Sequence, residues 1–69
     1  METIHRIDCP DGRDCPTIRR SDRGTLLLTA DRLRPDEQDQ MDLPAHETGI
    51  ELTPEALEEL YLAYRRSAG

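Results

Sequence analysis

LTPEALEELYLAYRR, from Leu52 to Arg66, is the stretch that decides the fold. Thr53 is a good helix N-cap, and Pro54 suits the first helical position, where its missing N–H costs nothing. Leu52 before the cap and Leu57 after it have the spacing of a hydrophobic staple. Leu57, Leu60, Tyr61 and Tyr64 then recur at i, i+3, i+4 and i+7, which is one face of a helix. Glu55, Glu58 and Glu59 come early and Arg65 and Arg66 late, each matched to the helix dipole. The pattern predicts an amphipathic helix to Arg66, with residues 67–69 as a frayed tail. Such a helix has to lie on another apolar surface.

The sequence upstream supplies strands. Thr17-Ile18-Arg19-Arg20 and Thr25-Leu26-Leu27-Leu28-Thr29 read as the arms of a β-hairpin. Between them, Asp22 can bond its own backbone two residues on, and Gly24 can take the left-handed conformation that closes a type I turn with a bulge. Thr48-Gly49-Ile50-Glu51-Leu52 reads as a third strand, with Ile50 and Leu52 inward and Glu51 outward. Residues 31–47 form an acidic connection. Pro35-Asp36-Glu37 suits the first turn of a short helix there, after which Met41 and Leu43 would reach the core, and Leu43-Pro44 would end it. Residues 1–15 form a turn-rich leader, with Pro10-Asp11-Gly12 favouring a reversal between Cys9 and Cys15. The expected architecture is α+β: a small, mostly antiparallel three-stranded sheet, made of the hairpin plus a third strand and packed by one C-terminal amphipathic helix. Residues 16–66 would form that single domain.

Composition limits what such a domain can do. The chain has 69 residues, 35% of them charged, and a net charge of −6. Isoleucine and leucine total 13, and there is no valine, phenylalanine or tryptophan. That excludes a transmembrane span, a pocket walled by aromatics and a multi-domain enzyme. A core this lean is expected to need a metal, a disulfide or oligomerisation. All nine cationic side chains are arginine: residues 1–35 carry seven of them against six acids, residues 36–69 only two against nine. The overall acidity opposes nonspecific binding to nucleic acid or anionic lipid. Met1 to Arg6 has no apolar signal region, so a cytoplasmic location is expected, with thiols mostly reduced.

Four groups of side chains carry possible chemistry. His5, Cys9, Cys15 and His46 would suffice as tetrahedral zinc ligands, although their spacing is not that of a usual knuckle. Alternatively, Cys9 and Cys15 pair as a disulfide or stay as small buried thiols. Arg19, Arg20 and Arg23, with Arg32 and Arg34 nearby, form either a basic ridge for phosphate or a solvated hairpin with weak ion pairs. The segment Asp36 to Asp42 lacks the glycine and terminal glutamate of a calcium loop. Leu57, Leu60, Tyr61 and Tyr64 are either core residues or the anchors of a partner-binding face, which a homodimer would also use. No nucleophile–base–orienter set and no phosphate-cradling glycine loop is present. No catalysis and no cofactor are expected, zinc being the one metal reading.

Cys15-Pro16-Thr17-Ile18, Ser21-Asp22-Arg23-Gly24-Thr25-Leu26-Leu27-Leu28, Leu43-Pro44, Glu47 and Ile50-Glu51-Leu52 together resemble a group of small actinobacterial proteins. These share a Cys-Pro-Thr start, an Asp-Arg-Gly-Thr turn and a later Leu-Pro…Glu…Val-Glu-Val-Pro stretch. The resemblance covers about residues 9–57, with Thr29-Ala30 standing where the group has Gln-Gly. Members are often encoded beside helix-turn-helix regulators. The resemblance implies a non-catalytic protein-interaction module, an accessory partner of a transcription regulator. A looser resemblance, to swapped-hairpin DNA-binding regulators, implies the alternative: a dimer presenting Arg19, Arg20 and Arg23 to DNA.

Overall fold

The computed structural model describes residues 1–8 and 15–68. In chain order it contains β1 (Glu2–Arg6), β2 (Thr17–Arg20), β3 (Leu26–Thr29), β4 (Asp31–Arg32), α1 (Pro35–Met41), β5 (Ile50–Glu51) and α2 (Pro54–Ala68). The expected class is found: a three-stranded antiparallel sheet, ordered β1-β2-β3, with a C-terminal helix. The third strand is not the expected one. It is β1, in a stretch read as leader, while Ile50–Glu51 pairs with Asp31–Arg32 in a separate two-stranded ribbon.

The hairpin follows its sequence closely. Thr17 pairs with Thr29, Ile18 with Leu28, Arg19 with Leu27 and Arg20 with Leu26. Gly24 closes the turn at φ +84°, a backbone region that favours glycine. The side chain that holds the turn is Ser21, not Asp22. Ser21 Oγ accepts from Arg23 N–H at 3.2 Å and Thr25 N–H at 3.1 Å. Asp22 reaches instead to the Met1 amino group at 2.6 Å, an exposed contact that stabilises little.

On the other side of β2, β1 pairs Glu2 with Arg20, Thr3 with Arg19, His5 with Ile18 and Arg6 with Thr17. The register slips by one residue between Thr3 and His5, which is a β-bulge. Two features explain why this segment and not 48–52 completes the sheet. β1 offers five residues and a run that includes Thr3 and Ile4. The 48–52 segment forms only two paired residues, Ile50 and Glu51.

The helix starts as its sequence dictates but runs on to Ala68, past the expected end at Arg66, so Ser67 and Ala68 are helical and not a frayed tail. Thr53 Oγ1 accepts the Ala56 N–H at 3.1 Å, and Pro54 opens the first turn. Leu60, 1% exposed, is the largest fully buried side chain among the described residues, and Ala63 is buried beside it on the helix. With Ile18 and Cys15 they make up the apolar core. α2 packs chiefly on β1 and also on β2. α1 starts at Pro35 as expected and ends with Asp42 in the left-handed conformation, φ 49°. It buries no residue, so Met41 is exposed and not in the core, whereas Leu43 is half-buried.

The result is thin. The radius of gyration is 13.3 Å, against about 11 Å for a compact chain of this length. The accessible surface is 5708 Å², whereas a folded monomer of this mass exposes about 4,400 Å².

Two substitutions test these local assignments. Thr53→Ala should cost about 1 kcal/mol of unfolding free energy in a denaturant melt, with Thr53→Ser recovering most of it. Asp31 and Glu51 stand directly opposite each other, and like charges so placed repel. Glu51→Arg should therefore raise stability by a fraction of ~1 kcal/mol in the same measurement.

Candidate interaction surface

The hydrogen bonds between helix and sheet fix how α2 is oriented. His5 Nε2 and Glu59 Oε2 lie 2.7 Å apart. Arg20 Nη2 donates to Ser67 Oγ at 3.4 Å. Glu59 therefore sits over the His5 end of β1, and Ser67 over the end where Glu2 pairs with Arg20. α2 runs antiparallel to β1, and its buried face includes Leu60 and Ala63. At about 100° per residue, Leu57 and Tyr61 lie roughly 160° around the helix from Glu59. Glu59 takes the flank over β1, so Leu57 and Tyr61 occupy the flank turned toward β3.

That flank is open. Leu57 is 51% and Tyr61 53% exposed, while Tyr64 is half-buried. The Arg65 guanidinium lies 5.9 Å from the centre of the Tyr61 ring, a cation–π contact. Of the four residues expected at a partner face, Leu60 is corrected: it belongs to the core. The reason is angular, because the helix is centred on Leu60 and Ala63 and not on the Leu57–Tyr61 edge of the apolar stripe. The missing signal was alanine. Ala63 is small enough to let the helix approach the sheet, and it shifts the buried face away from the larger side chains.

β3 extends the same open surface. Leu26 is opposite Arg20 and Leu28 opposite Ile18, and residues opposite each other share a sheet face. Arg20 meets α2 through Ser67, so Leu26 and Leu28 lie on the helix side of the sheet. At 38% and 37% exposed they are not covered by it. Leu26 and Leu28 on β3 and Leu57 and Tyr61 on α2 are thus exposed apolar side chains on the helix side of the sheet.

The expected basic ridge is divided. Arg20 Nη1 donates to Glu2 Oε1 at 3.1 Å on the helix side. Arg19 points to the opposite face, where Nη1 donates to Thr29 Oγ1 at 3.4 Å. Arg23 is exposed in the turn. Alternation along β2 thus keeps Arg19 and Arg20 from meeting one phosphate backbone together.

The structure does not bring His5, Cys15 and His46 together. His5 is held by Glu59, Cys15 is buried, and His46 is exposed with Nε2 3.7 Å from Glu47 Oε2. Among the described residues no group of three His, Cys, Asp or Glu side chains is placed to hold a metal ion. Cys9, and with it the Cys9–Cys15 disulfide reading, lies outside the described residues. A recess of about 400 Å³ beside the ribbon is lined by Arg32, Leu33, Gln38, Thr48, Gly49 and Ile50. That lining contains no base to activate the Thr48 hydroxyl. No helix among the described residues is long and apolar enough to cross a membrane. Comparison of the chain with protein-family models, curated proteins and solved structures gives no match.

The His5–Glu59 contact joins strand to helix, with both side chains partly solvated. A double-mutant cycle with His5→Ala and Glu59→Gln should give a coupling of no more than about 1 kcal/mol in unfolding free energy. A much larger value would mean that this contact, and not the Leu60 packing, holds the helix down.

Proposed function

We propose that this chain is a non-catalytic protein-interaction module whose binding surface is made of the exposed apolar side chains of α2 and β3. The observation that carries this reading is the exposure of Leu57 and Tyr61 on α2 together with that of Leu26 and Leu28 on the helix side of β3. Four large apolar side chains on one side of so small a protein form a patch of the kind that partner proteins cover. Tyr61 suits the role, because an aromatic ring with a polar tip can be buried at an interface and still satisfy its hydroxyl. The net charge of −6 favours a partner with a basic rim.

The resemblance carried by Cys15-Pro16-Thr17 and Asp22-Arg23-Gly24-Thr25 supports an accessory role toward a helix-turn-helix transcription regulator in the cytoplasm. Exposed apolar side chains along a helix flank suit an amphipathic helix of such a partner. DNA binding by the chain itself is the weaker reading. Arg20 is engaged by Glu2 and Arg19 faces the other way.

The test is affinity capture from native lysate with the wild-type chain and with a Leu57→Lys/Tyr61→Lys variant. We expect a helix-turn-helix regulator on the wild type and its loss from the variant, whose far-UV spectrum should be unchanged. Equal capture by both proteins would overturn the proposed surface.

A further inference from the structure

The two edges of the main sheet are not alike. At one edge, β1 carries Glu2, His5 and Arg6 and is broken by the bulge between Thr3 and His5. Charges and bulges are the devices that keep an edge strand from pairing with another chain. At the other edge, β3 has neither. Residues 24–30 are the longest uncharged run in a chain that is 35% charged, and they contain no proline.

The unpaired groups of β3 can be assigned. Ser21 N–H donates to Thr25 C=O at 2.9 Å, so Ser21 and Thr25 are a hydrogen-bonded pair. Such pairs alternate along an antiparallel ladder. Leu27 and Thr29 therefore bond to β2, and the N–H and C=O groups of Leu26 and Leu28 point outward.

We propose that a second copy of this chain occupies the β3 edge, the two β3 strands pairing antiparallel about a two-fold axis at Leu27. In that register Leu26 faces Leu28 of the partner copy. Each such pair exchanges two backbone hydrogen bonds, and Leu27 sits opposite its own counterpart. The strand is self-complementary: it is uncharged, and all three of its leucines meet leucines. The two sheets become one of six strands, with both α2 helices on the same side. Area supports a second copy. The chain exposes about 1,300 Å² more than a compact monomer of its mass, and each partner in a standard interface gives up about 800 Å². The seam uses the β3 edge, whose Leu26 and Leu28 also belong to the surface proposed for a regulator, whereas Leu57 and Tyr61 belong to that surface alone, so the Leu57→Lys/Tyr61→Lys variant separates the two assignments.

Sedimentation equilibrium of the full chain should give twice its 7.9 kDa. Leu26→Lys/Leu28→Lys should weaken association at least about tenfold and keep its far-UV spectrum. Leu57→Lys/Tyr61→Lys should remain dimeric. Should the β3 variant fail to fold, amide exchange on the unaltered protein decides. Protection of the Leu26 and Leu28 amides should rise with protein concentration, while that of the β1 edge stays constant. A monomer at about 1 mM, a dimer untouched by the β3 lysines, or protection that rises along β1 instead would overturn the proposal.

Discussion

The seating of α2 on β1 and β2 is the constraint on which the rest of this structure depends. Among the described residues Leu60 is the largest side chain to be fully enclosed, and only Ala63, Ile18 and Cys15 accompany it as buried apolar residues. Each fully buried leucine or isoleucine contributes roughly 1.5–3 kcal/mol. With so few of them, loss of the helix would leave the sheet without a covered face. The polar contacts around the seat, His5 with Glu59 and Arg20 with Ser67, set the angle and direction of the helix more than its strength.

The parts legible in the sequence were those governed by neighbouring residues. The Thr53 cap, Pro54 at the helix start, Gly24 in the turn and Pro35 at the start of α1 all obey local backbone rules, and all are found. The parts misread depend on distant residues. β1 was hidden because the bulge interrupts its alternation, so Ile4 and Ile7 do not show the two-residue period of a strand. The Thr48–Leu52 segment alternates well and still makes only two paired positions, with Asp31 and Arg32 rather than with the hairpin. The apolar stripe of α2 is legible in Leu57, Leu60, Tyr61 and Tyr64, but which part of it is buried is not: the seat is Leu60 with Ala63, while Leu57 and Tyr61 stay exposed.

The distribution of charge follows from the same geometry. Arg20 and Arg19 sit on opposite faces of β2, engaged by Glu2 and Thr29. Asp36 and Glu37 lie in the first turn of α1 and Glu55 in that of α2. β3 itself carries no charged side chain. A protein of net charge −6 stays dispersed by repulsion at long range and can still associate at short range through such a region.

The bulge in β1 has one more consequence. A sheet that grew at both margins would have no natural end point, and identical copies would go on adding into fibres. Here one margin is flat and the other is kinked by a single inserted residue and studded with charge. Joined flat side to flat side, two molecules turn their irregular rims outward and offer nothing for a third to continue. In the proposed pairing, one extra amino acid near the start of the chain would act as a terminator, holding assembly to a finite particle.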